Sequence, residues 1–357
     1  MSNQQLSRIV VNGFKSLKSC DIRLGQLNIL IGPNGAGKSN FISFFRLIQQ
    51  LIAGNLQHYA GKQGGPDALL HFGRKVTEAL EAELYFGNNG YRFSLEATAD
   101  NRLMFAHESL FPNISDYKTV GSGHFETRIG THTTGIKQYV IPALKSWRVH
   151  HFHDTSETAA VKQLCDKNDY RSLRPDAGNL ASFLFYLKNK HPKNYELITK
   201  TVRMIAPFFG DFLLETHPLN EEKIELEWTQ RGHDIPFKAH VFSDGTLRFI
   251  CLATVLLQPT ELMPETILID EPELGLHPYA IRLLGSMLRS ASAEKQIIVS
   301  TQSADLLNEF TPKDVILAER ANGSTNLLRP DESALAAWLE DYTLGELWQK
   351  NLIGGRP

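Results

Sequence analysis

The chain has 357 residues, room for two domains or for one large domain carrying an insertion. Apolar residues make up 42 % and charged residues 21 %, a globular balance that excludes a disordered or coiled-coil composition. Lysine plus arginine is 37 and aspartate plus glutamate 39, a net charge of −2, so no global basic field draws the chain onto nucleic acid and any such contact has to be local.

The first elements read as strands over residues 6–31. Ile9, Val10 and Val11 precede Gly13-Phe14, and Leu27–Ile31 is a short apolar run ending at a glycine-rich loop, the pattern of a buried central strand. Phe41, Phe44, Phe45, Ile48, Leu51 and Ile52 then recur at helical spacing. Val76–Phe86 and Tyr91–Ala97 flank Gly87-Asn88-Asn89-Gly90, which predicts a hairpin. Residues 106–136, rich in Gly, Thr, Ser and His, read as loop or irregular β structure, and residues 178–210 as helical. Leu262–Asp270 reads as a buried strand, Tyr279–Arg289 as a helix and Gln296–Ser300 as a strand. Strand–helix alternation at both ends predicts an α/β protein with a parallel sheet whose halves are far apart in sequence. Cys20, Cys165 and Cys251 are widely spaced, which fits no disulfide framework or zinc ribbon and suits a reducing, cytoplasmic setting. There is no secretory signal pattern, and the longest apolar run, Phe249–Leu257, falls short of the roughly 20 residues that span a bilayer. No membrane partner is expected.

Three motifs carry chemistry. Gly32-Pro33-Asn34-Gly35-Ala36-Gly37-Lys38-Ser39 fits the phosphate-loop pattern G-x-x-x-x-G-K-[ST]. Glycines let successive amides point into one concavity, and the following helix turns its positive end to the phosphates. Lys38 would reach the β- and γ-phosphates and the Ser39 hydroxyl would ligate Mg2+. Ile267–Ile269 leads into Asp270-Glu271, two carboxylates at a sheet's carboxyl edge, where open α/β sheets bind ligands. Asp270 is expected to hold Mg2+, and Glu271 to orient and deprotonate the attacking water. Ser243-Asp244-Gly245, ahead of an apolar helical run, reads as an N-cap and anion site.

In this order the motifs resemble an ABC-type ATPase head. The resemblance is closer to the RecF/SMC-like branch, and within it to small bacterial AAA family ATP-binding proteins related to the OLD-family ATPase domain. Ile9–Leu17 is similar to that branch's first strand. The resemblance implies an ABC-type P-loop NTPase head with a mixed sheet, an antiparallel β lobe and an inserted helical lobe. It implies ATP and Mg2+ as cofactors, with nucleotide held by Gly32 through Ser39, Asn40, Ser243 and Gly245, metal by Ser39 and Asp270, and catalysis by Lys38, Glu271 and Gln302. Two heads would dimerise around two ATP, with Ser243 and Gly245 acting across the dimer and Glu273–Pro278 as the D-loop between them. The expected division is a split ATPase core at 1–50 plus 236–330, a β-rich lobe and lid at 51–175, a helical lobe at 176–235 and a C-terminal tail at 331–357.

The departures matter too. Gln302 stands where the family carries a switch histidine; it can donate a hydrogen bond but cannot carry a proton at pH 7, so hydrolysis is expected to be slow. No Q-loop glutamine is evident beyond Gln138. No heptad run fills residues 50–235 and no acidic nuclease cluster follows residue 320, so any nuclease or toxin activity is expected from a separate effector chain. The resemblance therefore points to a bacterial defence module. A RecF-like DNA repair ATPase and a non-hydrolysing ATP sensor are the alternatives; a transporter subunit fits least, since 205 residues separate Lys38 from Ser243. His150, His151 and His153 form the densest histidine cluster, read as a junction segment near the nucleotide or a metal pair. Lys188, Lys190, Lys193, Lys200 and Arg203 leave DNA open as a partner of one basic lobe. In the tail, Trp338, Leu339, Leu344, Leu347 and Trp348 would pack on the head or dock a partner, with Thr343 as N-cap.

Overall fold

Leu27–Ile31 is a strand buried at every position, and the helix Lys38–Ile52 follows it after the glycine-rich loop. The apolar spacing read from the sequence is the helix's buried face: Phe41, Phe44, Phe45, Ile48 and Leu51 are all fully buried. The computed structural model describes residues 5–112, 118–131 and 135–355. It divides into two units, Met1–Val149 with Phe310–Pro357, and His150–Glu309.

In the first unit an antiparallel sheet runs in the spatial order Leu17–Arg23, Arg8–Phe14, Ala79–Phe86, Asn89–Ala97, Leu103–Phe111, Lys118–Gly121. The expected hairpin turns at Gly87-Asn88, with Gly87 at φ 62° and Phe86 paired to Asn89. Leu103–Phe111 is a strand whose register slips on both sides, so the irregular β structure expected from residue 106 is what its first part forms. The run His107-Glu108-Ser109 breaks the apolar pattern, yet Glu108 is fully buried and fully partnered. Tyr91 Oη donates to its Oε1 at 2.6 Å, His124 Nε2 lies 2.8 Å from Oε2, the Arg128 amide donates at 3.0 Å, and Thr127 Oγ1 adds a fourth bond. A buried carboxylate is tolerated when its lone pairs are used in this way. Residues 113–117 and 132–134 of the same stretch lie outside the described residues.

Val315–Ala321 lies parallel to Leu27–Ile31 and antiparallel to Ser324–Leu328. The tail folds onto this unit: Thr343 and Glu346 form a reciprocal capping box, Leu347 and Trp348 are buried, and the Gly355 amide donates to Glu319 at 2.7 Å.

In the second unit Thr266–Asp270 and Gln296–Thr301 pair in parallel, joined by the helix Pro278–Ser292, as a parallel connection requires. Leu180–Lys190 and Pro192–Ile205 are helices, but Phe209–Leu213, Asn220–Ile224 and Glu227–Gln230 are strands, so the segment expected to be a helical lobe is half β. Trp228 stacks on Phe242 at 4.5 Å between ring centres, packing this hairpin against the approach to Ser243. Among the described residues no helix is long and apolar enough to cross a membrane.

Candidate nucleotide site

The glycine-rich loop belongs to the first unit. Gly37, in the left-handed region at φ 103°, is the N-cap of Lys38–Ile52, and no side chain caps that helix. Its leading amides are thus left without a side-chain acceptor, the arrangement that binds anions. A Cβ on Gly37 would collide with Thr325 Oγ1, and one on Gly32 with the Ala318 carbonyl. Thr325 braces the loop from below, donating to the Ala36 carbonyl at 2.8 Å and accepting from Ser16 Oγ at 2.7 Å, while Asn40 Nδ2 donates to the same Ser16. Arg320 Nη1 donates to the Gly35 carbonyl at 3.1 Å. A pocket of about 360 Å³ opens beside Pro33, Asn34, Gly35 and Ala36, walled by Glu319, Arg320 and Asn351. Lys38 is buried, its ammonium folded onto the carbonyls of Gly32 and Pro33, the latter at 3.0 Å; Ser39 is exposed at the helix start. Thr325 and Arg320 carry no sequence signal, because they reach the loop only through strand pairing.

The second unit holds the other candidates. Asp270 ends a fully buried strand, and Ser300, its register partner on the neighbouring strand, donates to Asp270 Oδ1. Glu271 sits at φ 45°, a left-handed conformation costly for a side chain with a Cβ, held by its amide's 2.8 Å bond to the Ser300 carbonyl. Gln302 Nε2 donates to Glu271 Oε1, so the structure brings the expected base and the switch-position glutamine into direct contact. Beneath them Glu273 accepts from Thr301 Oγ1 at 2.6 Å and from the Gln302 amide at 2.9 Å. Burial pushes its carboxyl above the usual range despite those two bonds.

Ser243 caps the helix Asp244–Leu257, accepting from the Thr246 amide, and is itself exposed. Gly245 packs so closely on the turn after Glu271 that a Cβ would collide with the Gly275 carbonyl. Arg248, missed by sequence reasoning, ties this helix to two other segments. It donates to Leu274 O at 2.8 Å, Phe152 O at 3.0 Å and His153 O at 2.9 Å. His151 and His153 do not form a metal pair on a strand face: their rings lie 3.9 Å apart beside Asp270, and among the described residues no three metal-ligating side chains converge. Gln138 is exposed near the start of the helix Lys137–Ser146, in the first unit. The basic stretch is partly paired, Lys200 with Glu196 at 2.8 Å and Lys188 with Asp211 at 3.5 Å.

Residues 27–308 match the family described as "AAA domain, putative AbiEii toxin, Type IV TA system", and the chain belongs to that family. Over 44 residues it is 46 % identical to the DNA replication and repair protein RecF of Vibrio cholerae, a match spanning 12 % of either chain. Its fold is similar to the Smc head solved bound to the C-winged helix domain of ScpA, with a TM-score of 0.61 over 93 % of this chain and 99 % of that one at 18 % identity. It is also similar to the Smc head domain with an extended coiled coil bound to the C-terminal domain of ScpA from Pyrococcus furiosus, with a TM-score of 0.58 over 94 % and 98 % at 14 % identity. The chain thus has the mixed α/β fold of an SMC-type head, and its short match to RecF lies in the same direction.

Proposed function

We propose that the chain binds ATP with Mg2+ and hydrolyses it slowly, and that two heads close around two ATP to gate a separate effector, a nuclease or toxin subunit, in a bacterial defence system. The observation that carries the reading is the Gln302–Glu271 hydrogen bond at the carboxyl edge of the parallel pair. It sets a candidate base beside a donor suited to a γ-phosphate oxygen. In this reading the Gly32–Asn40 loop cradles the phosphates through its free backbone N–H groups, Pro33 having none, and Lys38 leaves its loop carbonyls for phosphate oxygens. The Ser39 hydroxyl and the Asp270 carboxylate are hard oxygen donors of the kind Mg2+ takes, so the residues fit the ion. The ion would neutralise charge developing on the phosphates. Glu271 takes the proton from the attacking water, and Ser243 with Gly245 completes the site of the opposite head. Cytoplasmic placement belongs to the same proposal, since ATP is the fuel.

A non-hydrolysing sensor is the second reading, favoured by the same bond: while Gln302 holds Glu271, that carboxylate oxygen is less available as a base. Glu271→Gln decides between them. Turnover by the parent should exceed that of the variant by roughly 10²–10⁴, with the variant accumulating as an ATP-bound dimer. A parent with no turnover, DNA and native-host partners included, leaves the sensor reading in place.

A further inference from the structure

The histidine segment after Val149 has no part in the reading above, yet it lies against the candidate metal carboxylate. His153 Nε2 is 3.0 Å from the Asp270 carbonyl oxygen. His151 Nδ1 is 3.9 Å from Asp270 Oδ2, its side chain 44 % exposed at the open edge of the strand. The backbone between and around them is fixed. Arg248 grips the carbonyls of Phe152 and His153, the His151 amide donates to Pro175 O at 3.0 Å, and the Phe152 side chain is buried. The third Arg248 bond, to Leu274 O, ties the same clamp to the turn that follows Glu271. A 3.9 Å gap is too long for a direct hydrogen bond and suits one bridging water. Mg2+ keeps several of its waters when it binds to one or two carboxylates.

We propose that His151 is a second-sphere residue of the divalent cation at Asp270, hydrogen-bonding a water of the cation's shell, and that Arg248 is the positioning residue that holds it there. This rests on the reading of Asp270 as the metal carboxylate. An imidazole that orients a metal-bound water raises cation affinity without touching the nucleotide, and losing such an outer-shell partner typically costs about 10–100-fold in metal affinity.

The test is a Mn2+ titration of the full-length chain with a non-hydrolysable ATP analogue, followed by the electron paramagnetic resonance signal of free Mn2+. His151→Ala should raise the Mn2+ concentration for half-saturation at least about tenfold, with metal-free nucleotide affinity and melting temperature close to the parent's. His151→Gln, which keeps an acceptor in Oε1, should recover most of the loss, and Arg248→Ala should reproduce it. Parent-like Mn2+ binding in His151→Ala overturns the role of His151 alone. Parent-like Mn2+ binding in Asp270→Asn overturns the underlying reading of Asp270, and this proposal with it.

Discussion

At the scale of single residues, the site is organised around Glu271. Its left-handed backbone is a conformation that a residue with a Cβ adopts only when its surroundings impose it. Here they do, through the Ser300 carbonyl on one side and Gln302 on the other. In the proposed hydrolytic reading Gln302 has two jobs to separate, orienting the base and donating to the transferring phosphate. Both jobs predict the same sign, whereas the sensor reading, in which the bond withholds Glu271, predicts the opposite one. Gln302→Ala should lower kcat by roughly 10²-fold, as removal of one preorganised donor does, with KM for ATP little changed. Steady-state kinetics would show it; an unchanged kcat would remove Gln302 from the catalytic set. The two candidate segments, one in each unit, were legible in the sequence because each sits in a local motif: a carboxylate pair after an apolar strand, a glycine loop before a helix. Arg248 was not, because its three acceptors, Phe152, His153 and Leu274, come from segments separated in sequence. Nothing local marks an arginine whose partners are backbone carbonyls.

At the scale of elements, the helix after the phosphate loop is held by aromatic packing as much as by its own propensity. Phe41 and Phe45 meet edge-on at 5.4 Å, and Trp147 caps the cluster, fully buried, 5.0 Å from Phe45 and 6.3 Å from Phe86. Gln49 at the helix's far end donates to the Trp147 carbonyl at 2.7 Å. Trp147→Ala should cost about 3–5 kcal/mol, the range for emptying a buried aromatic site. Loss of that anchor should also loosen the helix that carries Lys38. Chemical denaturation would measure the first effect and nucleotide affinity the second; a loss below 1 kcal/mol would show that the cluster closes over the gap. The helix and its central strand were readable because periodicity reports burial directly. Leu103–Phe111 was legible only in part, since its buried Glu108 looks like loop until Tyr91, His124, Thr127 and Arg128 are in place around it. Likewise the capped start at Thr343 was visible in the sequence, whereas its reciprocal partner Glu346 and the tail's seat on Glu319 were not read there.

At the scale of the whole molecule, the near-zero net charge and the exposed signature turn bear on assembly. A chain at −2 puts little long-range repulsion between two copies of itself. Ser243 and Asp244 are exposed, and within its own chain Ser243 does no more than cap its helix. Gly245, by contrast, is pinned against Gly275, so the turn is presented in one fixed shape. In the proposed reading, that turn meets nucleotide across a pair of heads. Ser243→Arg, in a Glu271→Gln background that retains ATP, should therefore leave a monomer in sedimentation velocity where Glu271→Gln alone gives a dimer. Losing the serine N-cap should cost only about 1 kcal/mol, too little to unfold the chain. ATP binding by the isolated head should persist, because the loop proposed to hold the phosphates, Gly32–Ser39, belongs to the other unit. A dimer that still forms with arginine at position 243 would place the contact surface elsewhere and leave Ser243 as a helix cap and nothing more.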